Sequence, residues 1–216
     1  MATTTVTRIT KTPHGEARVH VHPVTEPRGA LVLGHGAGGG VEAPDLIAAT
    51  AAAQTQGFSV ALVEQPYRVA GKRSSPAAKQ LDAAWIPVVE DLMADDFDGL
   101  PLISGGRSAG ARVACRTAEA TGAAAVLCLA FPLQPPARAG KEPSPTRQPE
   151  LDAVEVPMLI VQGESDRFGI PEPGPNREVV RVRGDHSLRS DREAVSAAVE
   201  RWLAAPTRKL RASRGR

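Results

Sequence analysis

Leu100-Pro-Leu-Ile-Ser104-Gly-Gly-Arg-Ser108-Ala-Gly110 joins a short apolar run to a serine flanked by glycines, and an alanine-rich stretch follows. Leu100–Ser104 reads as a buried strand and Ala109–Thr121 as a helix, so Ser108 falls on the strand-to-helix turn. Gly106-Arg-Ser108-Ala-Gly110 fits the pattern G-x-S-x-G, and its context fits a nucleophile elbow, a sharp turn that exposes the serine above the sheet. Glycines on both sides permit the turn and let the helix approach the strand, and Gly105 widens that allowance. The plainer alternative is a strand-to-helix turn with Ser108 as an ordinary N-cap.

Outward from this turn the chain alternates. Val6–Thr10 and Ala17–Val24 read as a hairpin about Lys11–Gly15. Gly29-Ala-Leu-Val-Leu-Gly34 is a continuous apolar strand of the type buried on both faces. After the glycine-rich loop His35–Gly40, a helix is expected over Ala43–Gln56, capped by Gly57. Phe58–Val63 reads as a strand, and Pro76–Asp96 as a helix with a kink or break at Pro87. Ala124–Phe131, Val156–Gln162 and Glu178–Arg183 read as strands. Ser190-Asp-Arg-Glu193 reads as a capping box opening the last helix. About eight strands alternating with helices imply one α/β domain over residues 1–206, a doubly wound, mostly parallel sheet with helices on both faces. Such sheets bind ligands at the carboxyl ends of their strands.

A serine becomes a competent nucleophile only with a histidine base, itself oriented by a carboxylate. In chain order for this elbow, the acid and then the histidine follow the serine. Of His14, His20, His22, His35 and His186, only His186 follows Ser108. Asp166, in the loop Gly163–Gly169, is the preferred acid. Glu164 lies nearer the strand end, and Asp185 adjoins His186 but as a neighbour points away. Two backbone N–H groups should complete an oxyanion hole: Ala109, after the nucleophile, and Ala37, in the loop His35–Gly40. His35 is expected to brace that loop, and also stands with Tyr67, Arg68 and Arg147 as a candidate substrate contact.

The same loop permits a rival reading. Gly34-His-Gly36-Ala-Gly-Gly39 also fits G-x-G-x-x-G, and Glu64 stands where a ribose-binding acid would lie in a dinucleotide-binding protein. That reading leaves Ser108, Asp166 and His186 unexplained.

The composition narrows the classes further. Hydrophobic residues make up 42% and charged residues 23% of 216 residues, a globular balance. Aromatics are only 3%, too few for a nucleic-acid surface built on stacking. Five basic residues and no acid lie in the last ten positions; without them the net charge of +2 becomes −3 over the other 206 residues. Residues 207–216 thus read as a solvated basic tail. The first residues have no apolar core for a signal peptide, and no apolar run reaches membrane-spanning length, so a cytoplasmic protein without a membrane partner is expected. Cys115 and Cys128 read as small buried hydrophobes, and histidine and cysteine spacings predict no metal site.

The sequence resembles the small α/β-hydrolases related to dienelactone hydrolase, in the branch that includes testis-expressed hydrolase-like proteins and a subunit of the NSL chromatin complex. The resemblance rests on Gly34-His-Gly-Ala-Gly-Gly39, Gln65-Pro-Tyr-Arg68, Gly105-Gly-Arg-Ser-Ala-Gly110, Leu129-Ala-Phe-Pro-Leu133 with Pro135-Pro136, Gly163 with Asp166, and Asp185-His186. It spans residues 29–204. It implies an α/β-hydrolase fold without cap domain, a Ser108–Asp166–His186 triad, no cofactor, and a small-molecule ester or thioester as substrate. Dienelactone hydrolase itself has a cysteine nucleophile where this chain has Ser108, and the branch tends to show Met and Gly where Ala109 and Ala111 stand. Since some relatives serve in complexes, the resemblance also admits a non-catalytic interaction module.

Two further expectations concern the substrate. Prolines 132, 135, 136, 143, 145 and 149 make residues 132–149 a loop where related folds carry a helical cap, so the site should be open. Arg68, Arg107, Arg138 and Arg147 cluster around the expected site in sequence and would suit an anionic substrate, Arg107 least of them.

Overall fold

A computed structural model describes residues 4–136, 140, 142 and 144–205. The basic tail and Arg138 therefore lie outside the described residues. The run of six buried residues Gly29–Gly34 forms strand β3 near the middle of the sheet. Its side chains alternate between two cores: Ala30 and Val32 pack into one, Leu31 and Leu33 into the other. That division is what an apolar strand covered by helices on both faces requires.

Before β3, β1 (Val6–Thr12) and β2 (Gly15–His22) form the expected hairpin. After it come α1 (Pro44–Thr55), β4 (Phe58–Glu64), α2 (Pro66–Val69), α3 (Ala78–Ala94), β5 (Leu102–Arg107) and α4 (Ala109–Thr117). The chain ends with β6 (Ala125–Leu129), α5 (Gln148–Asp152), β7 (Met158–Gly163), β8 (Arg177–Val182) and α6 (Arg192–Ala204). The eight strands among the described residues lie in the order β1-β2-β4-β3-β5-β6-β7-β8. β2 pairs antiparallel with β1 and β4, and every other pairing is parallel.

This order creates the site. From β3 the chain goes to β4 on one side and returns to β5 on the other, so the order reverses at β3. The loops after β3 and β5 therefore emerge side by side at the carboxyl edge, where ligands bind in doubly wound sheets. The register puts Gly34 opposite Gly106. α1 and α6 cover one face, with Leu46, Ala49, Ala53, Val195 and Val199 in its core. α3 and α4 cover the other, where Trp85, the largest fully buried side chain, packs with Val88, Val89 and Leu92.

Four local expectations change. α3 runs through Pro87 unbroken, because Trp85, Val88, Val89 and Leu92 hold it in the core on both sides of the proline. The cap of α6 is Asp191 and not Ser190: the Asp191 carboxylate accepts the Ala194 N–H at 3.1 Å, one residue later than the capping box placed it. α4 ends at Thr117, short of Thr121. Residues 132–149 are not wholly loop, since α5 begins at Gln148 with Pro149 in its first turn, where a missing N–H costs nothing. No helix among the described residues is long and apolar enough to cross a membrane.

Candidate active site

At the end of β5 the chain turns through Ser108, whose φ of 52° and ψ of −107° lie outside the ordinary regions for a residue with a side chain. Such a conformation persists only where the surroundings impose it. Here the Ser108 N–H donates to the Leu129 carbonyl at 2.9 Å, and the Ser108 carbonyl accepts the Arg112 N–H at 3.2 Å as α4 begins. Gly106 and Gly110 let β3 come close: a Cβ on Gly110 would overlap the Gly34 carbonyl.

His186 lies in the loop between β8 and α6, and Asp166 in the loop after β7. Gly163 permits these loops to meet, since a Cβ there would collide with the Asp185 carbonyl. The His186 Nε2 is 2.9 Å from the Ser108 Oγ, and its Nδ1 is 2.7 Å from the Asp166 Oδ2. A carboxylate only accepts, so Nδ1 carries the ring proton and Nε2 is left as the acceptor for the serine hydroxyl. The Phe168 ring packs on the imidazole, with centroids 4.4 Å apart.

The two competing acids stand elsewhere. Glu164 is exposed. Asp185 turns its carboxylate to the Ser187 N–H and hydroxyl, bonds that hold its pKa below the usual carboxylate range.

Gln162 is a residue that sequence reasoning missed. Fully buried at the end of β7, it donates from Nε2 to the Asp166 Oδ2 at 2.7 Å and to the carbonyls of Phe131 and Gly169, each at 3.0 Å. Three acceptors around one nitrogen fix which way the amide points. The signal was a lone polar residue closing the apolar strand Met-Leu-Ile-Val, four positions before the acid.

The glycine-rich loop is held from beneath. His35 Nδ1 donates to the Gly36 carbonyl at 2.8 Å, and Nε2 accepts the Gln65 N–H at 3.1 Å. Burial lowers the His35 pKa, in keeping with a neutral ring that uses both nitrogens. The Tyr67 hydroxyl donates to the Ala37 carbonyl at 2.9 Å. His35 and Tyr67, expected as candidate substrate contacts, are both buried, and their polar atoms bond to Gly36, Gln65 and Ala37. Neither the Ala37 nor the Ala109 N–H has an acceptor among the described residues.

The arginines divide. Arg147 donates to the Pro132 carbonyl at 2.7 Å and sits among Arg112, Arg116 and Glu150, where burial lowers its pKa; it braces the loop after β6 and is not part of a rim. Arg107 lines a cleft beside Gly38–Gly40, with Nε 2.8 Å from the Asp45 carboxylate and Nη2 3.0 Å from the His186 carbonyl. Arg68 lines the same cleft, of about 750 Å³, together with Ser187 and Arg189, the latter not singled out from the sequence. Glu64, the acid of the dinucleotide reading, is held by the His20 Nε2 at 2.8 Å and by Arg18 at 3.2 Å.

The family model for an alpha/beta hydrolase domain matches residues 27–204. No curated protein matches the chain significantly. Among solved structures, the chain is similar to XC6422 from Xanthomonas campestris, described as an α/β serine hydrolase without lid: 20% identity, TM-score 0.69, over 95% of this chain and 98% of that one. It is also similar to a dienelactone hydrolase from Anabaena variabilis, at 15% identity and TM-score 0.72, over 94% and 96% of the two chains. The esterase domain of a Rhodothermus marinus protein is a third, at 18% identity and TM-score 0.65, over 94% and 97%.

Proposed function

The chain belongs to the alpha/beta hydrolase domain family, and on that premise we propose that it is a serine hydrolase of small carboxylic esters or thioesters. One observation carries this reading. The Asp166 carboxylate, the His186 imidazole and the Ser108 hydroxyl form one chain of hydrogen bonds, 2.7 and 2.9 Å long, at the carboxyl edge of the sheet.

In this reading Ser108 Oγ attacks the substrate carbonyl carbon as its proton passes to His186 Nε2. Asp166 stabilises the imidazolium and holds its tautomer. The Ala37 and Ala109 N–H groups bind the oxyanion that forms. Collapse of the tetrahedral species breaks the bond to the alcohol or thiol, which takes the proton back from Nε2. Water then repeats the sequence on the acyl-enzyme and releases the acid. The segments Gln65–Arg68 and Leu129–Leu133 support placing the chain in the branch with the testis-expressed hydrolase-like proteins and the NSL subunit.

A fluorophosphonate probe tests the proposal, since it labels only an activated serine. Labelling of the wild-type chain, with its loss in both Ser108→Ala and His186→Ala, is the expected result. Absent labelling, or labelling that survives Ser108→Ala, overturns it.

A further inference from the structure

Arg107 is the residue immediately before the nucleophile, and its guanidinium reaches three elements at once. Nε lies 2.8 Å from Oδ2 of Asp45, in the first turn of α1. Nη2 donates to the main-chain carbonyl of His186 at 3.0 Å. Nη1 lies so close to the glycine-rich loop that a Cβ on Gly36 would stand 2.7 Å from it. Asp45 is fully buried, and its second oxygen accepts the Leu46 N–H at 3.0 Å. The carboxylate thus neutralises the guanidinium from one side, while Nη2 separately bonds the base's own peptide.

We infer that Arg107 is a positioning residue that sets the backbone of His186 relative to Ser108. The inference rests on the triad reading above. Asp166 and Gln162 orient the imidazole ring about its own bonds, but nothing in that pair fixes the height of the His186 peptide above the elbow. Arg107 does so, because it is joined to Ser108 by one peptide bond and to His186 by one hydrogen bond. A displacement of about 1 Å in a reacting group costs catalysis about a hundredfold, so one short strut between nucleophile and base has leverage. Arginine suits the task where lysine does not. Its planar fork donates in two fixed directions, whereas an ammonium is a single point that cannot span the Asp45 carboxylate and the His186 carbonyl together.

Two variants separate positioning from stability. Arg107→Lys keeps a cation beside the buried Asp45 and gives up the bond to His186. Asp45→Asn gives up the ion pair and leaves the His186 bond in place. With p-nitrophenyl acetate, Arg107→Lys should lower kcat tenfold or more with KM within twofold and Tm within a few degrees. Asp45→Asn should lower Tm and keep kcat within threefold. A merely structural arginine gives the reverse: kcat unchanged in Arg107→Lys, or lost in proportion to Tm in both. Should Arg107→Lys not fold, the double variant Arg107→Met with Asp45→Leu removes both charges and is expected to fold with the same loss of kcat.

A second readout needs no hydrolysis. In protein labelled with ¹⁵N-histidine, the His186 ring signals, assigned by their loss in His186→Asn, should move or broaden in Arg107→Lys and stay in place in Asp45→Asn. Unmoved signals in Arg107→Lys overturn the inference. A wild-type chain with no hydrolysis and no fluorophosphonate labelling overturns the proposed function, and these spectra still decide the role of Arg107.

Discussion

Gly106 and Gly34 face each other in register across β5 and β3, and a Cβ on Gly106 would stand 2.6 Å from the Gly34 carbonyl oxygen. Gly110, in the first turn of α4, meets the same carbonyl. The approach of elbow to loop is therefore set by backbone, which cannot swing aside as a flexible side chain can. Gly110→Ala should cost about 3 kcal/mol or more in urea unfolding, the upper range for overpacking. Gly38→Ala is the control, since a Cβ there meets nothing within 4 Å; its unfolding midpoint should stay close to wild type.

Asp166 and Glu164 are separated by one residue and differ in what they touch. Asp166→Asn should lower kcat by about 10³–10⁴-fold with little change in Tm, because the asparagine amide favours the wrong histidine tautomer. Glu164→Gln should leave kcat within twofold. Steady-state assays on a p-nitrophenyl ester check both, and retention of activity in Asp166→Asn would reject the acid assignment.

Gln162→Leu tests the support behind that acid. It removes the donor to Asp166 and to the part-buried Gly169 carbonyl, while the Phe131 carbonyl keeps the Leu133 N–H, for about 1–3 kcal/mol of stability. The sharper expectation is kinetic: a loss of about tenfold in kcat, with KM retained, that adds little to Asp166→Asn in a double-mutant cycle. Additive effects would mean that the two side chains act separately.

The meeting of Ser108, Asp166 and His186 was legible in the sequence because chain order and strand ends confine it. A single histidine follows Ser108, and the loops at 163–169 and 183–189 leave neighbouring parallel strands. Topology was legible from the alternation of apolar runs and helical periods. What escaped depends on register in space. Nothing local tells that Tyr67 reaches back to Ala37, that Arg107 bonds the His186 carbonyl, or that Gln162 reaches Asp166. Ser190 and Asp191 are both good N-caps in isolation, and only the final placement of α6 chose Asp191. Pro87 does not break α3, whose core residues hold it on both sides, and Pro149 sits in the first turn of α5, where proline is tolerated.

His35 gives the fold a dependence on pH. Its folded pKa is lowered from 6.5, chiefly by burial, so the unfolded chain binds a proton that the native chain does not. Stability from this group is fully present above about pH 6.5 and is lost as pH falls towards the folded pKa, by at most about 1.4 kcal/mol per pH unit. His22, also lowered, adds in the same direction. Urea unfolding at pH 7.5 and 5.0 should show a smaller difference for His35→Gln than for wild type. An unchanged difference would place the pH dependence elsewhere.

Among its described residues the segment between β6 and α5 forms no helix, in keeping with an open site at Ser108. Short acyl esters should be hydrolysed best, and the rate should rise smoothly with substrate concentration through the micelle threshold. A rate jump at that threshold, with preference for long chains, would contradict an open site.

Arg68 and Arg189 line the cleft beside Gly38–Gly40 and make no ion pair among the described residues, although Glu42 and Glu64 share the same walls. Two unpaired guanidinium groups on one rim would favour a substrate that brings its own carboxylate. Because the rim is open to water, each contact should contribute only the 0.2–1 kcal/mol of an exposed ion pair. An ester bearing a free carboxylate that meets both should thus show a kcat/KM about twofold to thirtyfold above its neutral isostere at low ionic strength. The advantage should shrink as salt shortens the Debye length from about 30 Å at 0.01 M to about 3 Å at 1 M. It should vanish in Arg68→Gln combined with Arg189→Gln, with the neutral ester unaffected. Equal rates for the charged and neutral esters at low salt would show that the two arginines face water and not the substrate.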